Sequence, residues 1–155
     1  VFNEKGNLTY YQHRLVVPFY QGEKIVFIQA RRIDEGHPKY INASLTVPLF
    51  NADILKRIET GSTVYICEGV FDAMVLEQNG FNAVAILGVE SFKPEWTGFF
   101  TGLDVVLCLD NDEAGTEATR KLAEMFYLKG IQVHKKTLPQ GVKDVTDYFI
   151  GKGVK

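Results

Sequence analysis

The sequence predicts an α/β protein, a parallel-sheet domain preceded by a small, mainly β, basic subdomain. Three observations carry that prediction. Two apolar runs, Val64-Tyr65-Ile66-Cys67 and Val105-Val106-Leu107-Cys108-Leu109, are too short for helices, rich in β-branched residues, and stop abruptly at acids. Buried parallel strands have this pattern when their C-terminal ends carry a site. From Val64 onward such runs alternate with single helical stretches, which implies right-handed crossovers and a parallel sheet. Ahead of them lies an antiparallel hairpin pattern.

Taken in order, Arg14 to Tyr20 reads as a strand, Gln21-Gly22-Glu23 as a turn, and Lys24 to Ala30 as the returning strand, ended by Arg31-Arg32. The polar Asp34-Glu35-Gly36-His37-Pro38 is a loop, followed by Lys39-Tyr40-Ile41-Asn42. After Pro48 and Asn51-Ala52-Asp53 comes a short amphipathic segment, Ile54 to Ile58. Thr60-Gly61-Ser62 marks the passage into the second unit, so the expected domains are 1–60 and 61–155. There the strand Val64 to Cys67 leads to a helix from Phe71 to Asn79, with Gly80 at its C-terminal cap. The strand Ala83 to Leu87 ends at Gly88, and the stretch around Pro94-Glu95-Trp96 has no clear assignment. The strand Val105 to Leu109, a helix from Glu113 to Leu128 closed by Gly130, the strand Ile131 to Lys136 and a helix from Val145 to Ile150 follow. On the 113–128 helix, Ala114, Ala118, Leu122 and Met125 share a face that should pack on the core.

A length of 155 residues and 46% apolar content suit one α/β domain with an attached subdomain and exclude a disordered chain. The net charge of −2 gives no global nucleic-acid signature. The charge is uneven, however: residues 1–60 hold eight Lys and Arg against six Asp and Glu, and 61–155 hold nine against thirteen. A basic front and an acidic back fit a basic surface beside a metal site. Cys67 and Cys108 fall inside expected buried strands with no CxxC, which excludes a zinc ribbon and fits core residues in a reducing cytoplasm. No apolar run has the length of a membrane span and no signal peptide is visible, so no membrane contact and a cytoplasmic location are expected. The first residue is Val rather than Met, which points to a piece of a longer protein.

The acids carry the chemistry. Glu68-Gly69 ends the first run, with Asp72 four residues after the Glu; Asp110-Asn111-Asp112 ends the second, followed by Ala114-Gly115. Asp110 and Asp112, two apart in extended backbone, can face one side, and Asp72 lies one helical turn beyond Glu68. Gly69 and Gly115 allow backbone or substrate to come close. Four clustered carboxylates repel one another unless a cation neutralises them, and hard oxygen donors select Mg²⁺ or Mn²⁺. A third acidic pair, Asp144 and Asp147, stands one helical turn apart after the last strand. The competing reading is a solvated strand end whose acids cap the next helix, as Asp144 could. That reading weakens when two strands of one unit end in acids.

Other acidic motifs fail on spacing. An EF-hand loop from Asp110 would have its glycine at Gly115, but Ala114 at the fifth position and Lys121 at the twelfth exclude calcium ligation. An aspartyl-phosphate phosphatase would need a lysine and further loops that cannot be placed. His13, His37 and His134 lack metal-ligand spacing, and no Walker A loop is present.

Glu68-Gly69-x-x-Asp72 followed by Asp110-x-Asp112-x-Ala114-Gly115 resembles the Toprim fold, a Rossmann-like domain. Bacterial (DnaG-type) primases, type IA and II topoisomerases, and some nucleases and recombination proteins share it. The resemblance covers residues 61–150 and implies a general acid/base role for Glu68 and metal binding by Asp110 and Asp112. Arg14-x-x-x-Pro18-Phe19, the hairpin ending at Arg31, and Pro38-Lys39-Tyr40-Ile41-Asn42 look like the polymerase-core entry of bacterial primases. That likeness implies a basic surface for template or incoming nucleotide formed by Arg14, Arg31, Lys39, Tyr40 and Asn42. Lys143-Asp144-x-x-Asp147-Tyr148 resembles primase-like proteins of phages and mobile elements, and adds Asp144 and Asp147 to the metal-site acids with Glu68 and Asp72. The zinc-binding domain that precedes this core in bacterial primases, and the helical part and helicase-binding domain that follow it, are not among these residues.

The expected function is therefore metal-dependent synthesis of RNA primers on single-stranded DNA from ribonucleoside triphosphates. A replicative helicase would be met through domains outside these residues. The alternatives are a Toprim-type metal-dependent nuclease or phosphodiesterase, and a non-catalytic nucleic-acid-binding module.

Overall fold

A computed structural model of the chain describes residues 11–151, and it divides into two compact units between Pro48 and Leu49. The first unit contains a three-stranded antiparallel sheet in the order β1-β2-β3, from β1 (Arg14–Gln21), β2 (Lys24–Arg32) and β3 (Tyr40–Asn42). Gly22 sits at the hairpin turn with φ of 61°, a conformation glycine adopts without a Cβ penalty. Phe19 and Phe27 face each other in the register, both buried, with ring centroids 5.0 Å apart.

The third strand had no sequence signal of its own, since three residues are too few for a period. It exists because β2 offers a partner: Gln29 pairs with Asn42, Ala30 with Ile41 and Arg31 with Tyr40. The Arg32 N–H donates to the Lys39 carbonyl at 2.8 Å, and this pairing carries β2 beyond Ala30, where the sequence reading stopped it.

The second unit is a four-stranded parallel sheet in the order β5-β4-β6-β7, built from β4 (Thr63–Cys67), β5 (Asn82–Ala85), β6 (Asp104–Cys108) and β7 (Val133–Lys135). Helix α1 (Val70–Gln78) links β4 to β5, α2 (Glu113–Tyr127) links β6 to β7, and α3 (Val145–Gly151) closes the described chain. This is the alternation expected from the sequence. Val64, Ile66, Val84, Val105 and Leu107 form the buried spine of the sheet.

Residues 49–60 lie with this sheet, ahead of the expected division at 60/61. Phe50 bridges Ala85, with its N–H 2.9 Å from the Ala85 carbonyl, and Asn51 Nδ2 donates to the Ala83 carbonyl at 2.9 Å. Ile54, Leu55 and Ile58 pack against the core of the second unit from the 3-10 helix Ala52–Lys56 and the residues after it. The stretch left unassigned around Trp96 is also structured. A 3-10 helix, Pro94–Phe100, inserts Trp96 and Phe100 into the core, where Phe100 meets Phe126 edge-on at 5.3 Å. Helix α2 buries Gly115, Ala118, Leu122 and Phe126, so Ala118 and Leu122 face the core as expected and Met125 packs at its edge, but Ala114 does not. Ala114 is exposed, because the cap at Asp112 turns Gly115 inward. Both cysteines are free and buried, in register on adjacent strands. No helix among the described residues is long and apolar enough to cross a membrane.

Candidate functional site

Parallel pairing puts the acidic loops side by side. Cys67 of β4 is the register partner of Cys108 of β6, so the chain leaves both strands at one edge, into Glu68 and into Leu109-Asp110. The backbone at Glu68 is fixed from the neighbouring strand. Leu87, in a left-handed conformation at φ of 52°, donates its N–H to the Glu68 carbonyl at 3.0 Å. A bulky residue rarely holds that conformation, which costs on the order of 1 kcal/mol.

Asp110 is placed by a glycine. A Cβ on Gly115 would overlap the Asp110 carbonyl oxygen and lie 2.8 Å from its carbon and 3.1 Å from its nitrogen, all backbone atoms. Only glycine at the third helical position lets α2 start this close to the loop. Asp112 caps the same helix, its Oδ1 accepting from the Gly115 N–H at 2.8 Å.

The third acidic segment is clipped to the other two. Asn111 donates its backbone N–H to the Lys143 carbonyl at 2.8 Å and its side chain to the Val142 carbonyl at 3.2 Å. Asp72 Oδ1 accepts from the Thr146 hydroxyl at 2.7 Å and from the Thr146 N–H at 2.9 Å. Residues 142–146 thus span the two carboxylate motifs.

The electrostatics follow. Glu68 is half-buried, and its carboxyl is raised by burial first and then by Asp110, Asp112 and Asp72. Asp110 is raised by burial and by Asp72, Asp144 and Asp112. Burial also raises Asp72, although its two bonds from Thr146 oppose the shift. The opposing charge is Lys143, whose Nζ lies 3.7 Å from Asp110 Oδ2. Burial pushes the Cys67 thiol up strongly and Cys108 up to about 11, so neither serves as a nucleophile at neutral pH.

The sequence-predicted acids thus divide. The charges of Asp112 and Asp144 reach the raised acids Glu68, Asp72 and Asp110, whereas Asp147 stands exposed on α3 with its N–H donated to Asp144 Oδ1 at 2.8 Å. Asp72 is 8% exposed and committed to Thr146, and Asp112 and Asp144 each cap a helix. In consequence, no three His, Cys, Asp or Glu side chains among the described residues stand close enough to hold an ion. The donor set still fits a hard divalent cation: it is all carboxylate oxygen, and Glu68 and Asp110 are raised by burial and then by a repulsion among the acids that a cation would relieve.

In the first unit, Arg31 and Lys39 flank the Tyr40 ring, with the guanidinium carbon 6.0 Å and the ammonium 5.6 Å from its centroid. Tyr40 is 39% exposed. Asn42 accepts from the buried Gln29 Nε2 at 3.1 Å. Arg14 serves differently from the others, because its guanidinium donates to the Pro38 carbonyl at 2.8 Å and the Lys39 carbonyl at 3.3 Å and so holds the basic segment in place. Sequence reasoning assigned no role to Lys143, Asn111 or Thr146. Their only signal was position, each within two residues of a candidate acid.

Comparison with known proteins fits this geometry. The model of the Toprim-like family matches residues 65–149. A DNA primase of Geobacillus stearothermophilus is 29% identical over 150 residues, covering 90% of this chain and 25% of that protein. The Gene 57 protein of Mycobacterium phage D29 is 30% identical over 121 residues, covering 74% of this chain and 78% of that one. Among solved structures, the zinc-binding and RNA polymerase domains of the Aquifex aeolicus primase superpose with a TM-score of 0.73 at 26% identity, over 92% of this chain and 38% of that one. The chain thus spans about a quarter of the bacterial primase it matches. With its motifs on neighbouring strand ends and the family model covering more than half its length, the chain belongs to the Toprim-like family.

Proposed function

We propose that the chain is the nucleotidyltransferase core of a DNA primase, making RNA primers on single-stranded DNA from ribonucleoside triphosphates. The observation that carries this reading is the pair of half-buried, mutually repelling carboxylates, Glu68 and Asp110, on adjacent parallel strand ends of a chain whose relatives are DNA primases. Asp110 and Asp112, joined by Asp144, would hold Mg²⁺ or Mn²⁺. Bound there, the ion supplies charge neutralisation on the triphosphate and acidifies the primer 3′-hydroxyl.

The chain's own residues do the rest. Glu68, whose carboxyl is raised by burial and by the neighbouring acids and meets no side-chain donor among the described residues, can take the 3′-hydroxyl proton on a carboxylate oxygen and release it to water. Arg31 and Lys39 supply positive charge for phosphates, and Tyr40 supplies an exposed ring on which a base can stack. Arg14 and Asn42 set the geometry of that surface through the Lys39 carbonyl and Gln29. Asp72, tied to Thr146, acts by placing the Lys143–Asp144 segment.

The test is primer synthesis on single-stranded DNA with Mg²⁺ and labelled ribonucleotides, comparing wild type with Asp110→Ala. Labelled oligoribonucleotides from wild type alone support the reading. Equal synthesis by the variant refutes the cluster, and nicking of DNA without nucleotides would move the assignment to a hydrolytic relative.

A further inference from the structure

We propose that Lys143 is the built-in counter-cation of the carboxylate cluster: it holds Asp110 in the metal-free protein, gives it up when a divalent ion binds, and then serves a substrate phosphate. The proposal deepens the primase reading and rests on it. Its ammonium lies 3.7 Å from Asp110 Oδ2, and among the described residues no other Lys or Arg pairs with a cluster acid. Its charge also acts favourably on Glu68 and Asp72, so it serves three acids at once.

Placement and looseness are combined in this residue. The backbone is fixed on both sides, by Asn111 at the Val142 and Lys143 carbonyls and by Asp72 at Thr146. The side chain, by contrast, is 59% exposed. An exposed pair of this kind changes an equilibrium by no more than about fivefold, and this allows an ion drawn to several carboxylates to displace it. The flexible four-carbon stem then leaves an ammonium free to swing beside the cluster, where a triphosphate would lie.

The test compares wild type, Lys143→Met and Lys143→Arg by calorimetric titration with Mn²⁺, then with ATP at saturating Mn²⁺. Removing the competing cation should tighten Mn²⁺ binding about fivefold in Lys143→Met, while ATP binding weakens by about tenfold. Lys143→Arg, which keeps the charge, should stay near wild type in both titrations. If Lys143→Met binds Mn²⁺ no more tightly than wild type, the counter-cation role is overturned; unchanged ATP affinity overturns the phosphate role. Absence of Mn²⁺ uptake by wild type itself would instead overturn the metal reading, and this proposal with it.

Discussion

Gly115→Ala tests whether the cluster depends on close backbone approach. Two effects oppose each other. Alanine in a helix is favoured over glycine by about 1 kcal/mol. Against that, the new methyl would collide with the Asp110 carbonyl and lie 2.8 Å from its carbon, and these are backbone atoms that cannot rotate aside. Overpacking of a tight site costs about 1–3 kcal/mol, and the high end applies where the neighbour is main chain. The net expectation is a loss of about 1–2 kcal/mol, or about 2–8 °C in Tm for a chain of this size. The assay is thermal unfolding by circular dichroism beside Mn²⁺ titration. Gly98→Ala is the control, since a Cβ there meets nothing within 4 Å. Because Asp110 is displaced, Mn²⁺ affinity should fall at temperatures where the variant is still folded. A Gly115→Ala protein that melts and binds like wild type would refute the close-approach argument, as would an equal loss in the control.

Two further predictions follow from the same network. Thr146→Val removes the hydroxyl 2.7 Å from the buried Asp72 carboxylate and should cost about 1–3 kcal/mol in a denaturant titration, because one donor of a buried charge is lost; a midpoint equal to wild type would remove Asp72 from its positioning role. Glu68, Asp72 and Asp110 are all raised by folding, so their stabilising contribution is present when protonated and is lost as pH rises from the ordinary carboxylate range, about 4, through the raised values. Tm of the metal-free protein should therefore fall with rising pH across that window, and Asp110→Asn should flatten the fall. The lowered Asp34 and Glu117 slope the other way, but both are exposed and contribute little, so a rising Tm would contradict the repulsion.

The fold was legible where burial alone decides it. Val64–Cys67 and Val105–Cys108 are continuous apolar runs because both faces of a parallel strand are covered, and that pattern survives in one dimension. What escaped depends on partners distant in sequence. Residues 40–42 are a strand only because Arg31 and Gln29 lie opposite, and Phe50 joins the sheet only through Ala85. The inward face of α2 was legible at Ala118, Leu122 and Met125, and missed only in its first turn, where the Asp112 cap turns Gly115 rather than Ala114 inward. At the site, the acids could be read because strand ends and alternate spacing bring them together. Their separate duties could not, since whether Asp72 faces an ion or a threonine depends on α3, more than seventy residues later.

Those duties explain how so unfavourable a cluster is maintained. The carboxylates repel, yet most of the acids are occupied in ways that pin loops: Asp72 holds Thr146, Asp112 caps α2, and Asp144 caps the start of α3. Asn111 then joins the second loop to the third, and Leu87 fixes the first from its neighbouring strand. Glu68 and Asp110 pin no loop through their carboxylates, and both are raised by burial and by the neighbouring acids. The scaffold thus uses acids to fix acids, and leaves the pair at adjacent strand ends with Lys143 as the cation beside it. A substitution in the pinning set should therefore disturb stability and metal affinity together. Replacing Glu68 or Asp110 by the isosteric amide should weaken metal binding while making the metal-free fold more stable, the combination expected of residues that serve chemistry at the expense of the fold.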